Sequence, residues 1–172
     1  SFSEIWRHRA VRSTVSLQPE SGFFYYEGRR EVALGNFGFG VGTASETLSS
    51  YGGTSDQSMG VNALGYIYYD GASQIPGDNP DIRNSDTIGL AVDYRGTTPI
   101  VHVIADNNLL YSQNMPNVSD PLHIFVYGYS TTDTSQQTIN AGQNLSGAPF
   151  SYDVGTILSN AGVEGTSVLN LG

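Results

Sequence analysis

The segment Ser85-Asp86-Thr87-Ile88-Gly89-Leu90-Ala91-Val92-Asp93-Tyr94 decides the fold of this chain. Large side chains at positions 88, 90, 92 and 94 alternate with small or acidic ones. Successive residues of a β-strand point to opposite sides, so this spacing places the large side chains on one face. We therefore predict a strand with a single core face, and we expect Ile88, Leu90 and Val92 to lie between two sheets.

Short strand-like runs separated by turn residues continue through the rest of the chain. Gly, Pro, Asn and Asp mark the turns. The runs between them are rich in β-branched or aromatic residues: Phe23–Tyr26, Phe37–Val41, Tyr66–Tyr69, Ile100–Ala105 and His123–Tyr129. Helical periodicity is weak and confined to Ser3–Arg12 and Thr156–Ala161. The pattern predicts an all-β fold, a two-sheet antiparallel β-sandwich.

The length of 172 residues suits one domain that is large enough to bury a core. We expect this single domain to span 1–172. Within it, we expect residues 1–12 to form an N-terminal arm and residues 154–172 to form a C-terminal closing segment.

Two runs carry patterns that composition alone does not explain. In Phe37–Gly42 bulky residues alternate with glycines, and a row without side chains lets another element or a ligand approach the backbone closely. We favour packing as the use of this row.

His123–Tyr129 is apolar on both faces, so one face must point away from the central core. If that face carries Phe125, Tyr127 and Tyr129, it forms an aromatic shelf, unless a further layer or the N-terminal arm covers it.

The charge balance excludes several classes of partner. Seven Arg and no Lys stand against sixteen carboxylates, which gives a net charge of −9, whereas nucleic-acid binding requires a high density of cations. Five of the Arg lie within residues 1–30, which indicates a basic N-terminal arm beside an acidic body. No apolar run has the length of a membrane span, and no signal-peptide apolar region opens the chain. We expect no nucleic acid and no membrane insertion, and we interpret the chain as part of a larger polypeptide.

Residues suited to catalysis or metal binding are sparse. Cys is absent, the three His lie far apart, and neither a Gly-x-Ser-x-Gly elbow nor a paired-carboxylate string occurs. We interpret Glu27 and Glu31 as part of a charged turn or edge, and His102 as structural. The acidic loop Asp70–Asp86 offers the oxygen ligands that Ca²⁺ prefers, but turns also require Asx residues beside Gly and Pro. We favour turns there, and we predict no catalytic residue, no metal and no cofactor.

The order of several motifs resembles the SPRY family. Ser85–Tyr94 is similar to the family signature G-D-x-I-G-V-x-L-D-Y, and Ser21–Glu27 resembles its early G-x-Y-Y-F/W-E strand. Further similar segments are Gly38–Gly42, Gly65–Gly71, Ile139–Gln143 and Pro149–Tyr152. The family's F-x-x-N-G hairpin is present only as Ile104–Asn108, and Ala141 replaces an aromatic residue, as in a distant member.

This resemblance covers roughly residues 11–153. It implies a twisted antiparallel sandwich of the lectin/glucanase type. It also implies a non-catalytic recognition module, which in this family usually binds protein through rim loops.

Tyrosines beside polar turns are the candidate binding residues. Tyr offers a flat apolar face and a hydrogen-bonding tip at low entropic cost, which suits sugar rings and protein partners alike. The ligand-binding residues that we select from the turns and the aromatic shelf are Tyr51, Asp56, Tyr69, Asn107, Tyr127 and Tyr129. Low charge and abundant Ser, Thr, Asn and Gln favour an extracellular, lectin-like module at a cell or virion surface that binds a glycan or polysaccharide. The alternative is a protein-interaction or structural module of an adhesin or of a phage tail fibre.

Overall fold

Two antiparallel β-sheets lie face to face, and the strand predicted at Ile88–Tyr94 runs through the middle of one of them. The computed structural model describes residues 8–30, 36–47, 51–75, 77, 79–129, 137–141, 150–165 and 168–169. Its strands are β1 (His8–Leu17), β2 (Gly22–Arg30), β3 (Asn36–Thr43), β4 (Ser58–Asn62), β5 (Ile67–Tyr69), β6 (Ala72–Ser73), β7 (Thr87–Tyr94), β8 (Ile100–Ala105), β9 (Asn108–Asn114), β10 (Leu122–Tyr129), β11 (Gln137–Asn140) and β12 (Val168–Leu169). Its helices are α1 (Pro80–Asn84) and α2 (Val154–Asn160). The predicted all-β sandwich is confirmed.

The strand order separates the two sheets clearly. The front sheet has the order β1-β10-β3-β4-β5-β6, and the back sheet has the order β11-β2-β7-β8-β9. Neighbouring strands within each of these orders are antiparallel. β12 joins the back sheet as a parallel partner of β2.

The core between the sheets contains the alternating residues of β7. Ile88, Leu90 and Val92 are each at most 2% exposed and belong to one buried cluster. The front sheet contributes Phe39 and Val41 to the same cluster. The predicted position of β7 is confirmed, because the large side chains of one face are the ones that are buried.

The outer face of the front sheet carries a trough lined by glycines. Gly40 of β3 pairs with Gly60 of β4 on one side and with Phe125 of β10 on the other. The rings of Phe125 and Tyr127 lie over this trough, so that a Cβ added to Gly38 would lie 2.2 Å from the Tyr127 ring. The glycine row is therefore used for packing, as the sequence analysis favoured.

The trough explains why both faces of β10 are apolar. Tyr127 is only 4% exposed, and its hydroxyl donates a hydrogen bond to the Val61 carbonyl oxygen at 3.1 Å. Burial raises the pKa of this phenol well above its ordinary value. The expectation that Tyr127 presents an exposed ring is wrong, since the glycines leave room for the ring to lie against the sheet.

A side chain in the trough is expected to destabilise the domain. A Cβ on Gly40 would lie 2.0 Å from the Met59 carbonyl oxygen. This oxygen belongs to the backbone of the neighbouring strand, so it cannot move away easily. Gly40→Ala should therefore lower the free energy of unfolding by about 1–3 kcal/mol, measured by urea denaturation. Gly128→Ala in β10 is the matched control, because nothing lies within 4 Å of its Cβ position. Equal stability of the two variants would contradict this account of the trough.

The outer face of the back sheet is covered by residues 150–165, which we call the C-terminal layer. Val154 and Leu158 of α2 pack with Phe23, Tyr25 and other residues of that face in a second buried cluster. The sequence predicted a helix at residues 156–161, and the helix in fact begins earlier, because the Asp153 side chain accepts a hydrogen bond from the Thr156 amide at 3.2 Å.

A buried carboxylate fastens the start of the C-terminal layer. Glu27 is 3% exposed and accepts hydrogen bonds from the amides of Ser151 (2.8 Å) and Tyr152 (3.0 Å) and from the Tyr25 hydroxyl (2.8 Å). The interpretation of Glu27 as part of a charged turn or edge is wrong. Its charge is satisfied by backbone and phenol donors inside the fold.

The N-terminal part of the chain also departs from the expectation. Residues 8–12 of the expected helix Ser3–Arg12 belong instead to the edge strand β1, and residues 1–7 lie outside the described part of the chain. Val11 and Arg12 pair with Val126 and Phe125 of β10. A weak helical pattern therefore gives way to the strand partner that β10 provides.

Candidate functional site

One end of the sandwich gathers several connections of the front sheet. β3 ends there, and β4 and β10 begin there. We give the name Asp56 end to the described residues that meet there, which are 44–47, 54–57, 69–71 and 115–121. The Tyr94 hydroxyl of the back sheet donates to the Asp120 carbonyl oxygen at 2.9 Å, which ties this end to both sheets.

The segment 51–53 is fixed against the outer face of the front sheet. The backbone of Gly52 lies so close to Gly60 that a Cβ on Gly60 would be 2.7 Å from the Gly52 carbonyl oxygen. The amide of Gly53, which has a φ of 85°, donates to the Ser58 hydroxyl at 2.9 Å. A left-handed glycine, a close backbone approach and a hydrogen bond thus hold the segment against the sheet.

Three half-buried tyrosines lie close together here, and one of them, Tyr51, begins this segment. The Tyr51 ring lies 4.8 Å from the Tyr68 ring, measured between centroids, and Tyr68 stacks on Tyr66 at 5.6 Å with an interplanar angle of 12°. Burial raises the pKa of the Tyr68 phenol, with smaller effects from Tyr51 and Tyr66. The three side chains present both apolar ring surface and hydroxyl groups.

Asp56 is oriented by amide groups. Its Oδ2 accepts from Asn117 Nδ2 at 2.8 Å, and its Oδ1 accepts from Gln57 Nε2 at 3.2 Å. The half-buried Tyr69 lies nearby, and its phenol has a raised pKa, first through burial and then through the negative charges of Asp56 and Asp70. This end therefore presents one oriented carboxylate beside a phenol.

A shallow hollow on the outer face of the front sheet adjoins the Asp56 end. Its lining residues are Arg12, Thr43, Glu46, Thr47, Tyr51, Gly52 and Phe125. Arg12 Nη1 donates to the Ala44 carbonyl oxygen at 2.7 Å, and the Ser55 hydroxyl donates to the Glu46 carboxylate. A cation, a carboxylate and aromatic rings therefore border one hollow, which suits a ligand with hydroxyl or amide groups.

The structure brings together three of the residues selected from the sequence. Asp56 and Tyr69 share the Asp56 end, and Tyr51 stands beside it on the outer face of the front sheet. Tyr127 is buried beneath the surface that these three residues share. It therefore supports that surface and does not form part of it. A ligand-binding role for Tyr51, Asp56 and Tyr69 stays a prediction.

Asn107 lies at the opposite end of the sandwich. Asp106 and Asn107 form the turn between β8 and β9, with φ values of 49° and 60°. β8 starts beside the end of β7 at the Asp56 end and runs away from it, so the turn that follows is remote. The expectation that Asn107 shares a site with Tyr51 is wrong. The side chain of Tyr129 lies outside the described residues, and only its backbone position at the end of β10 is defined.

Several residues of this surface were not predicted. Asn117 orients Asp56 from 61 positions along the chain, and Arg12 enters the hollow because β1 pairs with β10. No local pattern links such distant positions. Tyr66 and Tyr68 lie in a run that the sequence marked only as a strand, although their alternate spacing places them on one face.

Turn and cap chemistry accounts for part of the acidic loop Asp70–Asp86. Asp70 has a φ of 50° in the turn before β6, and the Asn79 side chain caps α1 by accepting from the amides of Asp81 and Ile82. Within the described ranges, no group of three or more His, Cys, Asp or Glu residues could hold a metal ion. In the same ranges, no helix has the length and apolar character to span a bilayer.

Known structures share this architecture. No family model and no curated protein matches the sequence. A human SPRY domain is 16% identical, with a TM-score of 0.59 over 78% of this chain and 85% of the other. The SPRY domain of human HERC1 is 12% identical (TM-score 0.57, 77% and 82%), and the TRIM65 PSpry domain is 17% identical (TM-score 0.50, 70% and 68%). The chain has a SPRY-like fold, and the resemblance noted in its motifs is confirmed at that level.

Proposed function

We propose that this SPRY-like domain is a non-catalytic module that binds another protein. The binding surface consists of the Asp56 end and the adjoining part of the outer face of the front sheet around Tyr51. The observation that carries the proposal is the fixed position of Tyr51, Asp56 and Tyr69. The loop that carries Tyr51 and Asp56 is pressed onto glycines of the front sheet, and Asn117 holds the Asp56 carboxylate. A preorganised surface loses little conformational entropy on binding, which favours recognition.

The chemistry of this surface also suits binding more than catalysis. Tyr rings supply contact area, and carboxylates held by amides supply directional acceptors. Glu27 is remote and already accepts three hydrogen bonds inside the fold. The SPRY resemblance supports the same reading, since that family is known for protein recognition through rim loops.

Peptide selection tests the proposal. A phage-displayed library of random peptides is panned against the immobilised domain, and the affinity of each enriched peptide is measured by calorimetry for the wild type and for variants. We expect Tyr51→Ala and Asp56→Ala to weaken binding by about five- to thirty-fold each, because each removes a contact worth roughly 1–2 kcal/mol. Thermal melting is recorded for every variant, so that a loss of folding is not mistaken for a loss of binding.

Asn107→Gly is the matched control for this experiment. Gly tolerates the φ of 60° at that turn, and the position lies at the other end of the sandwich. Binding by this variant should equal that of the wild type. Peptides that lose affinity with Asn107→Gly but not with Tyr51→Ala or Asp56→Ala would contradict the assignment of the surface.

Glycan binding is the second candidate function, and the hollow beside the Asp56 end favours it. Arg12 and Glu46 can exchange hydrogen bonds with sugar hydroxyls, while Phe125 and Tyr51 offer aromatic edges. Such a ligand would accord with an extracellular, cell-surface or virion-surface location for the domain. A glycan array decides the matter: selective binding that Arg12→Ala abolishes supports this candidate, and an array without selective signals removes it.

A further inference from the structure

A histidine is buried on the face of the back sheet that the C-terminal layer covers. The His102 side chain is 4% exposed, and its Nδ1 lies 2.8 Å from the Ser112 hydroxyl. In the described part of the chain, its Nε2 is buried and has no hydrogen-bond partner. The imidazole ring stacks on Phe23 with 6.2 Å between centroids. An imidazolium carries hydrogen on both ring nitrogens, so the charged ring would hold a buried N–H donor at Nε2 with no acceptor.

The carboxylate whose charge acts on His102, that of Asp93, is already paired with another cation. Asp93 accepts from Arg95 at 2.6 Å and 2.8 Å, and the Arg95 guanidinium lies 5.8 Å from the centre of the Phe23 ring. Arg95 Nη1 also donates to the carbonyl oxygens of Glu164 (2.8 Å) and Gly165 (3.0 Å). Through Arg95, the Asp93 carboxylate helps to fasten the end of the C-terminal layer.

The charged groups on the surrounding elements define what a charged His102 would meet. β2 places Glu27 on this face, but its carboxylate is held by the amides of Ser151 and Tyr152. β9 contributes the neutral Ser112 next to the ring. Among the described residues, other charged groups on these elements include Asp93 and Arg95 from β7 and the turn after it, Asp106 from the turn between β8 and β9, and Asp153 and Glu164 from the C-terminal layer. A protonated His102 therefore competes with Arg95 for Asp93.

We propose that His102 is a pH-sensitive lock, whose protonation draws Asp93 away from Arg95 and releases the C-terminal layer from the back sheet. The release exposes the outer face of that sheet, including Phe23 and Ala91, while the core between the sheets stays intact. This device is separate from the Asp56 end and does not depend on the function proposed for it.

The sign of the pH dependence follows from the environment of the ring. Burial lowers the pKa of His102, the charge of Asp93 opposes this effect, and the charge of Arg95 adds to it. In the unfolded chain the pKa of His lies near about 6.5. The open state therefore binds more protons, so closure is most stable above that pH and is lost as pH falls through the lower pKa of the closed state.

Hydrogen exchange read by mass spectrometry tests the lock in the intact chain. Exchange of the amides in α2 and in residues 163–165 is followed at about pH 7.5 and about pH 5, with correction for the intrinsic pH dependence of exchange. We expect exchange of this layer to rise several-fold at the lower pH, while the amides of β7 stay protected. In His102→Gln the rise should disappear. His123→Gln, which alters a histidine of the front sheet, should behave like the wild type.

Nuclear magnetic resonance of the wild type supplies a second test that needs no variant to fold. The imidazole signals of His102 should titrate over the same pH range in which the layer opens. A His102 ring that stays neutral throughout the opening would overturn the lock, and so would a full pH-dependent rise in His102→Gln. Opening of β7 together with the layer would also overturn it, because the transition would then be global unfolding.

Discussion

Leu90→Ala is expected to lower the free energy of unfolding by about 2–5 kcal/mol. Leu90 is 1% exposed and lies in the inter-sheet cluster with Phe39 and Val41. Truncation removes buried methyl groups and leaves a cavity that two hydrogen-bonded sheets cannot close. Urea denaturation followed by circular dichroism measures the change.

Leu64→Ala provides the matched control for this substitution. The same chemical change is made there at a side chain that is 42% exposed in the turn after β4. We expect its effect to stay within about 0.5 kcal/mol. Similar losses at both positions would show that Leu90 does not occupy the inter-sheet core.

Glu27→Ala is expected to cost about 3 kcal/mol and to loosen the C-terminal layer. The substitution leaves the half-buried amides of Ser151 and Tyr152 and the buried Tyr25 hydroxyl without their common acceptor, and a buried donor without a partner is expensive. Faster hydrogen exchange in α2 at neutral pH should accompany the loss of stability. The urea midpoint and the exchange rate measure the two effects independently.

Glu164→Ala removes a carboxylate from the other end of the same layer. Glu164 is exposed, and Arg95 contacts its carbonyl oxygen, which the substitution preserves. Stability and exchange should both remain near those of the wild type. If Glu27→Ala were equally neutral, Glu27 would not fasten the start of the layer.

The sequence predicted those parts of the fold whose signals are local. The alternation from Ile88 to Tyr94 is repeated within a few residues, so the strand and its buried face could be read directly. β1 could not be read in this way. β1 has a weak helical pattern, but it forms a strand because it pairs with β10, more than a hundred positions away. The sequence of the segment itself contains no signal of this pairing.

The same distinction explains the candidate site. Tyr51, Asp56 and Tyr69 could be selected as surface residues because tyrosine and aspartate beside turns are a local sign of exposed, polar surface. Tyr127 was misplaced because the space that buries it comes from Gly38, a residue of another strand. Asn107 was grouped with Tyr51 because turn composition does not reveal at which end of a sandwich a turn lies.

The pairing of β1 with β10 also bears on how the chain reaches its folded state. Leu17 pairs with Leu122, and Val168 pairs with Phe23. Strands β1 and β2 therefore pair with strands that are synthesised much later. Closing such long loops costs entropy before the contacts form, and sandwiches of this kind fold in about milliseconds to seconds. During synthesis on the ribosome, β1 must remain unpaired until β10 has emerged. Until then, the apolar residues of β1, among them Val11 and Val15, are open to association with other chains, which is the hazard of an unpaired strand.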